Sequence, residues 1–169
     1  VGVAHFNVLL TALVIVPLLG VWAQGRLAVR TMRLALYDPL TGLPNRNALT
    51  EALNEKVMHA DEDSSVCVML LDLDRFKDIN DTLGHHRGEE VIKEVATRLR
   101  SSVRGSDEVA RLGGDEFAVV LHDAGRSEAA RLAERMLMAL DRPLDLEGLP
   151  LHLTASIGIA TFPEHAADG

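Results

Sequence analysis

The feature that most constrains this chain is the run VCVMLLDLD at residues 66–74. Six consecutive apolar residues followed by alternating acids cannot lie on a surface. A run of this length, flanked by polar turn residues, reads as a strand buried in the middle of a sheet. Cys67 lies inside it, and as the single cysteine it has no internal disulfide partner. A lone thiol in an apolar run is a buried, inert side chain, in keeping with a reducing compartment. The acids that close the run, Asp72 and Asp74, are therefore delivered to the edge of a core.

The rest of the chain can be ordered around that strand. DPLTGLPNR (38–46) holds Pro39, Gly42 and Pro44, which break any helix, and Asn45 can cap the next one, RNALTEALNEKVMHA. From Gly84 to Val103, the residues Val91, Ile92, Val95, Ala96, Leu99 and Val103 mark one face of a long helix. EVARLGG and EFAVVL predict two strands around a short turn, and SEAARLAERMLMALDRP predicts an amphipathic helix ended before Pro143. LHLTASIGIATFP predicts a final strand. The order β-α-β-β-α-β is that of an α+β, ferredoxin-like sandwich with a central antiparallel sheet.

The N-terminus is different in kind. No side-chain formal charge precedes Arg26, and residues 3–23 form an apolar stretch matching the ~20 residues a membrane helix needs. Trp22 and the basic Arg26, Arg30 and Arg33 follow the stretch, where interfacial and cytoplasmic residues belong. A cleaved signal peptide would carry its basic residues before the apolar run. The expected organisation is a transmembrane helix over 1–25, a linker helix over 26–37 and a cytoplasmic domain over 38–169. Seventeen Lys+Arg against twenty-five Asp+Glu give a net charge of −8, which argues against nucleic acid as a partner.

The chemistry-bearing residues fall at the ends of predicted strands. If the strand 66–74 lies beside the hairpin containing GGDEF (113–117), with Asp115 and Glu116 in its turn, Asp72 and Asp115 come close together. Carboxylates that close repel one another unless a cation lies between them. All-oxygen donors suit Mg²⁺ or Mn²⁺, and Mg²⁺ commonly binds one or two carboxylates plus substrate phosphates. Gly113 and Gly114 leave the backbone bare for a close approach. Metal-assisted phosphoryl chemistry follows. His85 and His86 are neighbours on a helix, point in different directions and read as structural.

The chain resembles the GGDEF domain of bacterial diguanylate cyclases across roughly residues 36–163. The resemblance rests on DPLTGLPNR, LLDLDRFKDINDTLGHHRGEEVI (70–92), RLGGDEFAVVL (111–121) and ASIGIAT (155–161), in that order. It implies condensation of two GTP into cyclic di-GMP with release of pyrophosphate, in a homodimer whose protomers each hold one GTP. It implies metal ligation by Asp72, Asp115 and the backbone carbonyl of Leu73, with Glu116 a further ligand or an aid to deprotonation of the attacking 3′-hydroxyl. Lys77 and the amides around Phe76 would meet the triphosphate, Asn80 the guanine edge, and Gly113 and Gly114 the nucleotide. Glu89 stands where the family usually has Asp. Arg104 and Asp107, in the register of an RxxD motif before GGDEF, would form an inhibitory site for product. The resemblance also implies a further C-terminal helix and a basic segment beyond HAADG, so this piece is expected to be feebly active. The rival reading is a non-catalytic GTP or cyclic di-GMP sensor regulating an attached domain such as a phosphodiesterase.

Overall fold

The computed structural model describes residues 34–58, 65–146 and 148–162. The transmembrane helix expected over 1–25, and residues 26–33 of the linker helix, lie outside them. Among the described residues no helix is long and apolar enough to cross a membrane.

Ten elements follow in order: α1 (Arg46–Met58), β1 (Val66–Leu73), α2 (Phe76–Leu83), α3 (His85–Ser102), β2 (Glu108–Gly113), β3 (Glu116–His122), α4 (Arg126–Leu140), β4 (Leu144–Leu146), β5 (Leu149–Leu151) and β6 (Ala155–Phe162). Four strands make one sheet in the order β2-β3-β1-β6. Every pairing in it is antiparallel. β1 is central, as its apolar run requires, and β4 and β5 form a separate two-stranded ribbon.

Strand alternation explains the core. Cys67, Met69, Leu71 and Leu73 leave β1 on one face and are all but fully buried. They pack with Phe117, Val119 and Leu121 of β3, with Val91, Ile92, Val95 and Leu99 of α3, and with Leu132, Met136 and Leu140 of α4. Burying each such side chain contributes roughly 1.5–3 kcal/mol before the entropy of ordering is subtracted. The α3 residues involved are the stripe the sequence predicts. Arg98 of the same helix, held by Glu94, donates to the carbonyls of Ala139, Leu140 and Arg142, so one guanidinium closes the end of α4.

The opposite face is covered differently. Leu49 of α1 packs with Val66, Ala110, Ala118 and Val120, and Leu53 packs against that cluster. The cover does not extend over the middle of β1, where Leu70 is 55% exposed. The expectation of a strand buried throughout is thus corrected. β1 is central in the sheet, but of its two faces only the one toward α3 and α4 is fully buried.

Three further differences have local causes. Residues Phe76–Leu83, left without an element in the sequence reading, form the short helix α2. Its Phe76, Ile79 and Leu83 fall at helical spacing and pack against the core, but the stripe spans only two turns and none of its residues is fully buried. The last strand starts at Ala155, not at Leu151, because Leu151 pairs with Leu144 in the ribbon. Glu116 is the first residue of β3 and not part of the turn before it.

Candidate active site

The register of the sheet assembles the acids. β1 and β3 run antiparallel with Leu71 opposite Phe117 and Asp72 opposite Glu116. The cross-strand partner of Asp72 is therefore Glu116, with Asp115 in the adjoining turn. Directly opposed like charges on neighbouring strands are destabilising. Burial, followed by repulsion from Asp115, Glu116 and Asp74, raises the Asp72 carboxyl above the usual aspartate value.

The turn that carries Asp115 is shaped by its glycines. The β2–β3 register shifts between Arg111 and Gly113, and Gly113 then faces Glu116. Gly113 and Gly114 adopt φ of +143° and +54°, conformations that side chains resist, and nothing lies within 4 Å of where their Cβ atoms would be. The turn is bare as well as left-handed, leaving room beside the acids.

One side chain that the sequence reading did not single out holds this turn in place. Arg111 donates twice to the carbonyl of Gly114, at 3.1 and 2.8 Å. It also donates to both carboxylate oxygens of Asp38, at 3.0 and 3.2 Å. Arg111 and Asp38 are only 12% and 17% exposed at their side chains. Asp38 in turn accepts from the Thr41 amide and hydroxyl, closing the DPLTG turn. Burial alone would raise the Asp38 carboxyl, but hydrogen bonds from Thr41 and Arg111 and the Arg111 charge outweigh it and lower the group. The signal was available: an acid and a base of opposite sign in two motifs already quoted. The capping expectation for Asn45 holds, its side-chain oxygen accepting from the amides of Asn47 and Ala48. At the start of α1, Arg46 reaches Glu116 at 3.4 Å.

Beyond Asp72, the chain turns sharply through Arg75, at φ +57°, into α2. Phe76 and Lys77 thus begin a helix at the same sheet edge as the acids, and Lys77 is exposed. A helix N-terminus offers free amides and favours anions. The side chain of Leu73 is buried in the core, so only its backbone is available to a ligand. Asp74 accepts from Ser156 at 2.8 Å, and Asp78 pairs with Arg75.

Asn80 lies against α3 at Gly88, where an added Cβ would meet its Oδ1 at 1.9 Å and Phe76 at 3.3 Å. The glycine was not noticed in the sequence, although a Gly inside a helical stripe signals close approach. It brings Asn80 next to the exposed Glu89. His86 faces Glu90 at 3.7 Å, in keeping with a structural role.

Arg104 and Asp107 are at the other end of β2, ~20 Å along a six-residue strand. Asp107, 6% exposed, accepts from the Arg104 amide at 3.2 Å and closes its own loop. The Arg104 guanidinium pairs with Glu128 of α4. Arg131 and Arg135 line the same polar pocket.

The family described as "Diguanylate cyclase, GGDEF domain" matches residues 35–169. The chain belongs to this family. Diguanylate cyclase TpbB of Pseudomonas aeruginosa is 43% identical over 135 residues, covering 78% of this chain and 31% of TpbB. The bifunctional diguanylate cyclase/cyclic di-GMP phosphodiesterase MucR of the same species is 41% identical over 133 residues, 78% of this chain and 19% of MucR. The chain therefore spans less than a third of these relatives. Among solved structures, the coiled coil and GGDEF domain of DgcB from Caulobacter crescentus, in complex with c-di-GMP, superposes with a TM-score of 0.80 at 29% identity. It covers 90% of this chain and 82% of that one.

The GGDEF domain's acids also bear on metal. Among the described residues no three His, Cys, Asp or Glu side chains gather closely enough to enclose an ion. The donor set nonetheless fits a hard divalent cation: oxygen donors only, and an Asp72 carboxyl perturbed by two neighbouring acids of the site. A cation completed by phosphate oxygens needs no closed protein cage.

Proposed function

We propose that the whole protein is a membrane-anchored diguanylate cyclase. It condenses two GTP into cyclic di-GMP and two pyrophosphates, with product inhibition at Arg104 and Asp107. The observation that carries this reading is Asp72 opposite Glu116, with Asp115 in the adjoining turn, at the sheet edge where α2 begins.

In each of the two steps, a 3′-hydroxyl attacks the α-phosphorus of the other GTP, its proton leaves, and the bond to pyrophosphate breaks. Asp72, Asp115 and the Leu73 carbonyl would hold Mg²⁺ or Mn²⁺, which supplies charge neutralisation at the phosphates. Glu116 is a further ligand, or takes up the hydroxyl proton. Lys77 and the amides at the start of α2 bind the triphosphate, and the bare Gly113–Gly114 backbone admits it. Asn80 and Glu89 hydrogen-bond the guanine. Each protomer carries half of the reacting pair, so turnover requires a homodimer with facing sites. The helix over 1–25 anchors the domain at the cytoplasmic face of a bacterial inner membrane.

Glu89 supports a second reading, a nucleotide sensor without turnover, because its longer side chain alters the guanine contact. Full-length protein incubated with GTP and Mg²⁺, beside Asp115→Ala, separates the two. Cyclic di-GMP from the parent and none from the variant is the expected result. Nucleotide binding without product in either would replace the cyclase with the sensor.

A further inference from the structure

We propose that Glu128 is a built-in competitor of the product at the Arg104 site, setting how much cyclic di-GMP is needed to occupy it. The proposal rests on the reading of Arg104 and Asp107 as a product site and deepens it.

The geometry around Arg104 carries the idea. Its backbone is fixed by the Asp107 carboxylate and by a turn in which the Asp107 amide donates to the Arg104 carbonyl. The loop is thus preset, and only the guanidinium is free to choose a partner. That guanidinium, 69% exposed at its side chain, is paired with Glu128. Glu128 lies in the first turn of α4, where its own amide is tied to Gly125. The carboxylate is therefore presented by a rigid element and not by a wandering chain. Arg131 and Arg135 stand further along α4 and line the same pocket.

A cyclic dinucleotide offers two phosphodiester anions and guanine acceptor edges. Each of these seeks the N–H groups of an arginine, most effectively two at a time. Glu128 already accepts from one of those groups and places a negative charge beside the others. An incoming phosphate meets a like charge and must displace the carboxylate or share the guanidinium with it. An exposed ion pair of ordinary strength is worth up to about 1 kcal/mol, which converts to a factor of about five in affinity. Removal of the carboxylate charge should therefore sharpen product binding by that order. It would do so without touching the acids at the far end of β2.

The test is a calorimetric titration of detergent-solubilised full-length protein with cyclic di-GMP, with circular dichroism confirming the fold of each variant. Glu128→Gln should bind about fivefold more tightly. Glu128→Asp keeps the charge in the first turn of α4 but draws it back from Arg104, and should fall between the two. Glu134→Gln, an equal charge change on an exposed position of the same helix, should shift affinity less than twofold. Arg104→Ala should lose at least tenfold. If the parent does not bind, or if Arg104→Ala binds equally well, the product-site reading itself fails and the competitor falls with it. If binding depends on Arg104 but Glu128→Gln is unchanged or weaker, the competitor alone is overturned. Equal tightening in Glu128→Gln and Glu134→Gln would also overturn it, as general charge would then account for the effect.

Discussion

The six residues of β2 separate two turns that use the same residue types in opposite ways. In the turn before the strand, residues 104–107, the acid is buried, accepts from backbone and closes the loop around itself. In the turn after it, residues 113–115, Asp115 adjoins Glu116, the first residue of β3, whose cross-strand partner Asp72 has a raised carboxyl. The first turn lowers its own energy. The second leaves a repulsion standing where a folding-only design would have removed it, and such unsatisfied charge marks a place for a ligand.

The contrast can be broken by substitution. Asp115→Asn should reduce cyclic di-GMP formation by full-length protein at least a hundredfold. Its urea midpoint should equal or exceed that of the parent, because a repelling charge has gone. A loss of stability alongside activity would return Asp115 to the structural class. Next in size, Arg111→Ala strips the partner from the largely buried Asp38 and from the Gly114 carbonyl. It should cost about 3 kcal/mol in chemical denaturation, the lower end for breaking a buried pair. Asp107→Ala should cost about 1–2 kcal/mol by freeing a buried amide. Catalysis at saturating GTP should survive that change, which sets it apart from Asp115.

The smallest effect is one of pH. Asp38 has a folded value below its ordinary 3.8, so its stabilising contribution is fully present above that value. It is lost as pH falls through the folded value. An acid titration of unfolding should show this loss in the parent and find it moved up toward 3.8 in Thr41→Val, which removes a hydrogen bond to the carboxylate. An unchanged profile would mean that Arg111 and the Thr41 amide hold Asp38 without the hydroxyl.

Much of this could be read before any fold was known, and the boundary is physical. The central strand, the α3 stripe, the hairpin and the Asn45 cap depend on local periodicity and local hydrogen bonds, and each is found where the sequence puts it. The meeting of Asp72 with the hairpin acids was legible as a condition, that β1 and β3 be neighbours, which the register meets. Which hairpin acid lies opposite Asp72 was not legible, since the long-range register of β1 against β3 decides it. The Arg111–Asp38 pair joins residues 73 positions apart, and no periodicity reports such a contact. Leu70 was misjudged for a related reason. An apolar residue in a central strand is covered only if some helix reaches it, and α1 reaches only the other half of that face.

Arg111 has one more consequence. Leu36 accepts from the Asn45 amide, Arg111 donates its own amide to the Pro44 carbonyl, and its guanidinium spans from Asp38 to Gly114. The segment by which the polypeptide enters the domain and the tip of the β2–β3 hairpin are thereby clamped to one rigid planar group. Mechanically they behave as the two arms of a single bracket. A tilt imposed at residues 36–38 would reach the backbone beside Asp115 through that single side chain.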